Sequence, residues 1–315
     1  MICKIKEISG MFSVAGYENQ LTSYILNEVK DYCDESYIDK IGNVILRKKG
    51  KGEKVLINTP ISSEGLFVTF ITDDLKGRFK TVGKLDALKI IGKTVVNEKG
   101  EILGIIRGET PESDDPDNLY IDFGVSEKSD VPVKEGEILS LNKEFYHING
   151  GVYGTDIEKG TNIYAVLSLV KEIKSDCDLY FAFTVMDNVG FKGAKTAAFE
   201  LKPDYAIILS HSYCDAAETN IKSGNGVCVR ITDSHFIINK KMRDYATDKL
   251  KAGNIPYQIE ILSKSGLVNN EMMYMNNGIL TLNLNLPVTG SGELLKGAKI
   301  KDIENYIKAI KEITG

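Results

Sequence analysis

Apolar and polar residues alternate with different periods along the chain, and each period predicts a different element. Apolar positions between residues 19 and 32 recur at helical spacing, which predicts an amphipathic helix with one buried face. The segment from Tyr37 to Gly50 predicts two short strands around Gly42 and Asn43. Lys54 to Asn58 predicts another short strand, and Pro60 is expected to stop it because proline cannot donate a hydrogen bond to the next strand.

The stretch from Phe181 to Ser210 predicts the unit around which the chain is organised. A buried strand over Phe181 to Val185 is followed by a polar break, a helix from about Gly193 to Leu201 and a second strand over Tyr205 to Leu209. Such a unit belongs to a parallel sheet, in which ligands bind at the carboxyl ends of the strands. We therefore expect an active site at this edge, formed by the side chains of Asp187, Asn188, Ser210 and His211.

The pattern changes between Leu66 and Leu141. Short β-rich segments recur there with turn signals between them, which is typical of a small all-β barrel or sandwich. Alternating helices and strands resume after Gly151 and end in a closing helix over residues 301–313. The predicted fold is therefore an α/β domain, residues 1–65 and 148–315, interrupted by an inserted all-β domain, residues 66–147.

Composition narrows the class of protein. The 315 residues carry a net charge of -5 without a basic cluster, which argues against nucleic acid or an anionic membrane as a partner. The five cysteines are scattered and lack CxxC spacing, so neither disulfides nor a thiolate zinc site is expected. The first residues lack the apolar core of a signal peptide, and no stretch is long enough to span a bilayer. We expect a cytoplasmic protein.

Several motifs occur together in an order that is jointly specific. They are VAGYE (14–18), DKIGNVIL (39–46), NLYIDFGVSEKSDVPVKEGE (118–137), TVMDNVGFKGAKTAA (184–198), KPDYAI (202–207) and IPYQ (255–258). In these motifs the chain resembles the glutamyl aminopeptidase, or tetrahedral aminopeptidase, family of dinuclear metallopeptidases. The resemblance implies a phosphorylase/hydrolase-like α/β catalytic domain, an inserted barrel-like dimerisation domain and a homo-oligomer, as a dimer or as a dodecamer of such dimers.

The resemblance also implies five metal-ligand positions. The first ligand motif, His-x-Asp, falls on Pro60 to Ser62, and the bridging aspartate falls on Asp156. The paired glutamates fall on Asp187, at the position of the general base, and on Asn188, at the position of a ligand. The next aspartate ligand falls on Ser210, and the last ligand, a histidine, falls near residues 288–291, where the sequence has none.

Only Asp156 of these five ligands is retained. Because loss of one ligand or its supporting partner weakens metal affinity by roughly ten- to a hundred-fold, we predict that the dinuclear site is lost and that no cofactor is bound. If the protein is active, the resemblance implies zinc or cobalt. A rebuilt mononuclear site is the alternative, and it would use Asp156, Asp187, His211 and Asp215.

Other polar residues near this edge have simpler interpretations. The default interpretation of His211 is a polar residue on an exposed loop, and Glu64, Glu158 and Glu293 are expected to be solvated. Ser210 and His211 are neighbours on an extended strand, so they would point to opposite sides and could not form a nucleophile–base pair. Cys214 is a candidate partner for His211 on spacing alone.

Two functional classes remain open at this point. The first is a non-catalytic homologue that acts as a binding or assembly subunit, alone or with an active paralogue, and that binds peptides. The second is a metal-dependent aminopeptidase with a reduced or rebuilt metal site. Some relatives carry the label endoglucanase, but this chain shows no carboxylate pair at glycosidase spacing.

Overall fold

The computed structural model describes residues 1–110, 116–217, 219–263 and 270–315. The helices in these ranges are α1 (Ile2–Gly10), α2 (Asn19–Val29), α3 (Ile157–Glu172), α4 (Lys192–Leu201), α5 (Lys240–Ala252) and α6 (Ile300–Thr314). The strands of the first half of the chain are β1 (Glu35–Ile38), β2 (Val44–Lys48), β3 (Lys54–Pro60), β4 (Gly65–Ile71), β5 (Lys76–Val82), β6 (Thr94–Val96), β7 (Ile102–Gly108), β8 (Leu119–Asp122), β9 (Ile138–Leu141), β10 (Phe145–Ile148) and β11 (Gly151–Gly154). The strands of the second half are β12 (Asp178–Thr184), β13 (Tyr205–Tyr213), β14 (Val227–Asp233), β15 (Phe236–Ile237), β16 (Tyr257–Ile261), β17 (Leu280–Val288) and β18 (Lys296–Lys299).

One large mixed sheet forms the centre of the α/β part. Its strand order is β1-β2-β12-β3-β13-β17-β14-β15, with β16 paired to β14. The four central strands β12, β3, β13 and β17 are parallel, and antiparallel strands flank them on both sides. Parallel strands are buried on both faces, which explains the nearly continuous apolar runs in β12 and β13.

Helices cover the two faces of this sheet. Alternate residues of the central strands belong to different cores: Ile57, Phe181 and Ile207 pack in the core of α1, α2, α3, α5 and α6. Leu56 and Ala182 pack in the core of α4 on the other side. This two-residue period is the one expected of strands with both faces buried.

The inserted segment forms a separate closed barrel with strand order β4-β5-β8-β7-β6-β9. Its own apolar core contains Leu66, Val95, Ile106, Ile121 and Leu139. The predicted fold class, an α/β fold with an inserted small β barrel, is confirmed. The domain boundaries at residues 65/66 and 147/148 remain a prediction, while the barrel strands run from Gly65 to Leu141.

Two strand ends differ from the prediction. Strand β3 continues through Pro60, because Ile61 supplies the N–H that reaches the Thr184 carbonyl of β12 and the ladder with β13 already ends at Asn58. Strand β13 continues to Tyr213 because β17 pairs with it over nine residues. Ser210 and His211 therefore lie inside a strand and not behind its end.

A small sheet of order β10-β11-β18 connects the barrel segment back to the α/β part. It brings Lys296, the first residue of β18, opposite Gly154, two residues before Asp156. None of the described helices is long and apolar enough to cross a membrane.

Candidate functional site

A cavity of about 270 Å³ lies at the carboxyl ends of the central parallel strands. We call it the central cavity, and its lining residues are Pro60, Ser62, Ser63, Glu64, Lys84, Asp156, Glu158, Lys159, Asn162, Asp187, Asn188, Gly190, Phe191, Leu209, Ser210, His211 and Lys296. Six of the predicted site residues therefore meet there, namely Pro60, Asp156, Asp187, Asn188, Ser210 and His211. Glu64 and Glu158, which were expected to be solvated, also line the cavity.

A buried amide fixes the turn that carries Asp187. Asn43, which is fully buried, accepts a hydrogen bond from the Val185 backbone N–H (3.0 Å) and donates one to the Gly193 carbonyl (3.0 Å). A Cβ atom on Gly193 would lie 2.3 Å from Asn43 Oδ1 and 2.4 Å from the Val185 carbonyl oxygen. The start of α4 can therefore approach β12 only because residue 193 is glycine.

Asp156 lies in the floor of the central cavity among cationic and hydroxyl donors. Its Oδ2 atom accepts hydrogen bonds from Ser63 Oγ (2.5 Å), Lys143 Nζ (2.7 Å) and Lys159 Nζ (3.2 Å). Burial alone would raise the pKa of Asp156, but the charges of Lys143 and Lys159 outweigh burial and hold this pKa well below its usual value. Asp156 is therefore an ionised carboxylate that two lysines already neutralise.

Lys159 is enclosed by oxygen atoms. Besides Asp156, its ammonium donates to Ser63 Oγ at 2.6 Å and to Ser13 Oγ at 2.8 Å. These three acceptors match the three N–H donors of an ammonium group. Burial lowers the pKa of Lys159, and the charge of Asp156 opposes this effect.

A second ion pair joins Glu158 to Lys296 in the same cavity. Burial alone would raise the pKa of Glu158, but Lys296 lowers it below its usual value. Burial alone would likewise lower the pKa of Lys296, and Glu158 raises it above its usual value. The expectation that Glu158 is solvated is wrong, because β18 brings an ammonium group to it.

His211 also differs from its default interpretation. It lies within β13, and its ring packs edge-on against Tyr213 with 5.0 Å between ring centroids. Its Nε2 atom is buried and has no hydrogen-bond partner among the described residues. Burial lowers the pKa of His211 to about 4, with Glu158 opposing. His211 is a neutral, partly buried imidazole and not a residue of an exposed loop.

Asp187 is enclosed by hydroxyl and backbone groups. Thr184 Oγ1 donates to Asp187 Oδ1 (3.1 Å), and the Asp187 backbone N–H donates to Ser62 Oγ (3.2 Å). Burial raises the pKa of Asp187 well above its usual value. Ser62 Oγ in turn donates to Glu18 Oε1 (2.7 Å), and Asn188 Nδ2 donates to the Ser62 carbonyl (3.3 Å).

The other candidates lie elsewhere or behave differently. Asp215 does not line the central cavity, since its carboxylate accepts from the backbone N–H groups of Gly290 (2.7 Å) and Ser291 (3.1 Å). Cys214 is likewise outside the lining, and burial raises the pKa of its thiol to about 12. Glu64 lines the cavity, and burial raises its pKa, whereas Glu293 is exposed as expected.

Sequence reasoning missed the lysines that pair with Asp156 and Glu158. Lys159 could have been noticed, because it follows Asp156 by three residues at the start of a predicted helix. Lys143 and Lys296 lie 13 and 140 residues from Asp156 in the sequence, so no local pattern around Asp156 indicates them. Among the residues that the structure describes, no group of three or more His, Cys, Asp or Glu side chains is placed to hold a metal ion.

Comparison with known proteins agrees with this architecture. The model of the M42 glutamyl aminopeptidase family matches residues 42–309. A protein of Acetivibrio thermocellus named "Putative aminopeptidase" is 30% identical over 320 residues, covering 98% of this chain and 96% of its own. The lysyl aminopeptidase of Pyrococcus furiosus is 25% identical over 332 residues, covering 98% and 95%. Among solved structures, the TET1 peptidase of Pyrococcus horikoshii superposes with a TM-score of 0.89 at 28% identity, covering 99% of this chain and 98% of the other.

Proposed function

The chain belongs to the M42 glutamyl aminopeptidase family, and from that premise we propose that it is a member without the two-metal peptidase reaction. In this proposal it acts as a binding or assembly subunit of a homo-oligomer. The retained fold and the central cavity support a binding role. The residues that occupy the metal-ligand positions support the loss of the reaction.

The observation that carries the proposal is the environment of Asp156. Asp156 Oδ2 is already shared by Ser63, Lys143 and Lys159, so the two ammonium groups balance the charge that a metal ion would need to meet. Three of the other ligand positions that the resemblance implies fall on Pro60, Asn188 and Ser210, which line the cavity and none of which is a strong divalent-metal ligand. This donor set does not fit two divalent ions.

A metal-dependent aminopeptidase with a reduced or rebuilt site is the second candidate function. The names of the relatives favour it, and so does His211, which lines the central cavity. The Nε2 atom of His211 has no hydrogen-bond partner among the residues that the structure describes. Imidazole nitrogen suits zinc and cobalt. The position of Asp215 argues against it, because Asp215 does not line the cavity and binds the Gly290 backbone N–H instead. The rebuilt ligand set is therefore incomplete.

Self-association is part of the same proposal. The related TET1 peptidase of Pyrococcus horikoshii can assemble into a tetrahedron or a large octahedral shell. The barrel of this chain exposes Phe67 and Phe70 on β4, at 40% and 48% of their surface. Exposed aromatic side chains on one strand favour burial against a second copy. We also propose a cytoplasmic location, which the five free cysteines support.

Metal content and cleavage of an aminoacyl chromogenic substrate test the loss of the reaction. We expect no tightly bound metal by elemental analysis after purification with zinc or cobalt, and no cleavage. The lysyl aminopeptidase of Pyrococcus furiosus, carried through the same steps, is the matched control. About two metals per chain together with cleavage would overturn the proposal.

Light scattering tests the assembly. We expect a dimer or a larger homo-oligomer at micromolar concentration, with peptides or an active paralogue as further partners to be sought by co-purification. A monomer at that concentration would contradict the assembly role. Substitution of Phe70 by aspartate should weaken the assembly, whereas the same change at exposed Tyr274, outside the barrel, should not.

A further inference from the structure

One wall of the central cavity carries hydrogen-bond acceptors without a partner. Glu158 and Asn162 both line the cavity and lie one turn apart on α3, so their Cβ atoms are about 5–6 Å apart. Lys296 donates to Glu158 Oε1, but Glu158 Oε2 and Asn162 Oδ1 are buried and accept no hydrogen bond from the described residues. Asn162 as a whole is only 4% exposed. Buried polar atoms without a partner are rare in folded proteins, so this wall calls for a donor from a ligand.

His211 adds a third unpaired atom to the same cavity. It lies on β13, close enough to Glu158 for their charges to interact, and its Nε2 atom is buried without a partner in the described part of the chain. A neutral imidazole accepts a hydrogen bond at the ring nitrogen that carries no proton. Glu158 Oε2, Asn162 Oδ1 and His211 Nε2 are therefore three acceptors, and they match the three N–H donors of a primary ammonium group.

The charged side chains of the lining leave room for an added cation. The lining has four carboxylates and three ammonium groups, namely Glu64, Asp156, Glu158 and Asp187 against Lys84, Lys159 and Lys296. The two interior lysines already pair with carboxylates, and Lys84 lies at the exposed rim. Lys143 also pairs with Asp156, but it lines a second pocket and not this cavity. Within the described ranges, no unpaired cation therefore lies inside the cavity to repel a ligand ammonium group.

We propose that the central cavity binds a small molecule through a primary ammonium group, which donates to Glu158 Oε2, Asn162 Oδ1 and His211 Nε2. This inference rests on the proposed function and adds the chemical class of the ligand. A ligand carboxylate would place its oxygen atoms against these acceptors and would be repelled, whereas hydrogen bonds from a charged donor are about twice as strong as those from a neutral one. The lining also offers apolar surface to a short alkyl chain, from Pro60, Phe191 and Leu209.

Binding of matched small molecules tests the ligand class. Hexylammonium chloride is compared with hexan-1-ol, which has the same length without the charge, with sodium hexanoate, which has the opposite charge, and with zinc chloride. Calorimetry at neutral pH should show that hexylammonium binds at least about tenfold more tightly than hexanol, the equivalent of one charge-assisted hydrogen bond. Hexanoate and zinc should show no saturable binding.

The substitution Asn162→Leu separates ligand binding from stability. Leucine has nearly the shape of asparagine but no polar atoms, so the change removes Oδ1 without opening a void. Because Oδ1 has no partner among the described residues, the melting temperature should not fall, while the affinity for hexylammonium should drop by at least about fivefold. Asn305→Leu is the matched control, since it removes another buried asparagine with an unpaired atom, on α6 and outside the lining. It should leave the affinity unchanged.

Glu158→Gln gives a second measurement. It keeps the shape of the side chain and removes the negative charge, so the affinity for hexylammonium should fall by at least about tenfold. The same change breaks the pair with Lys296, so the affinity is measured well below the melting temperature of the variant. If Glu158→Gln does not fold, the Asn162→Leu result decides.

Each outcome has a distinct meaning. Preference for hexylammonium, with loss of affinity in Asn162→Leu, supports the inference. Equal binding of hexanoate, or affinity for hexylammonium that Asn162→Leu leaves unchanged, overturns it. Absence of binding by both hexylammonium and zinc also overturns it and leaves the loss of the two-metal reaction intact. Saturable binding of about two zinc ions per chain overturns both.

Discussion

The ammonium group of Lys296 pairs with the carboxylate of Glu158, joining the first residue of β18 to the first turn of α3 inside the central cavity. The two residues are 138 positions apart in the sequence. Both side chains are largely buried, so each charge would be destabilising in the folded protein without the other. The pair therefore ties the carboxy-terminal segment to the floor of the cavity.

Breaking this pair should destabilise the protein. Glu158→Gln leaves Lys296 buried without its counter-charge, and we expect a loss of about 3 kcal/mol in the free energy of unfolding. Urea denaturation measures the loss. Glu172→Gln, which breaks the exposed pair with Lys311, should cost less than about 0.5 kcal/mol. The double variant Glu158→Leu/Lys296→Met should recover most of the stability, and failure to recover would show that the pair is not the cause.

Removal of the buried amide of Asn43 should also be costly. Asn43→Ala leaves the Val185 N–H without its partner and removes the bond to the Gly193 carbonyl, which keeps the hydrogen bond from Thr196 Oγ1. An unsatisfied buried group costs about 1–3 kcal/mol. We expect a total loss of about 3 kcal/mol by chemical denaturation. Asn27→Ala at an exposed helix position is the control, with a change within about 0.5 kcal/mol. Equal effects of the two substitutions would contradict the role of Asn43.

A methyl group on Gly193 should disturb the contact between α4 and β12. Gly193→Ala forces the new Cβ into Asn43 Oδ1 and the backbone of Val185, so α4 must move away from β12. We expect a loss of about 2–3 kcal/mol in the free energy of unfolding, because overpacking of this kind shifts the backbone. Gly10→Ala places its Cβ in open space and should be nearly neutral in the same melting experiment.

Stability should depend on pH through His211. Its pKa is about 4 in the folded chain against 6.5 in the unfolded chain. Between these values the unfolded chain binds the proton more readily, so stability is lost as the pH falls from 6.5 to 4 and no further loss follows below 4. The difference between wild type and His211→Gln should fall by up to roughly 3 kcal/mol between pH 7 and pH 4. Parallel pH profiles of the two proteins would contradict this assignment.

The sequence predicts the elements whose apolar residues recur with a clear period. It does not predict strand ends and contacts that depend on pairing between distant segments. The unit from β12 through α4 to β13 was predicted because its apolar runs and its polar break are local signals. The extension of β13 to Tyr213 could not be predicted, since it depends on pairing with β17, more than 70 residues away. The residues of the sheet edge were predicted to meet because parallel strands bring their carboxyl ends together.

Local patterns could not predict the cations that pair with Asp156 and Glu158. Lys143 and Lys296 reach Asp156 and Glu158 only through the small sheet of β10, β11 and β18, whose register no local motif specifies. His211 was assigned to an exposed loop because the apolar run ends at Leu209, although the strand does not. Long-range geometry therefore decided the charge of the site, and sequence periodicity decided its position.

The lysines around Asp156 also bear on the engineering of a metal site in this cavity. A histidine introduced at Pro60 would border the same cavity as Lys159, whose ammonium group would repel a divalent ion. Substitution of Lys143 or Lys159 alone would leave Asp156 with one ammonium partner fewer. Several substitutions at once would therefore be needed before these residues could hold a metal ion.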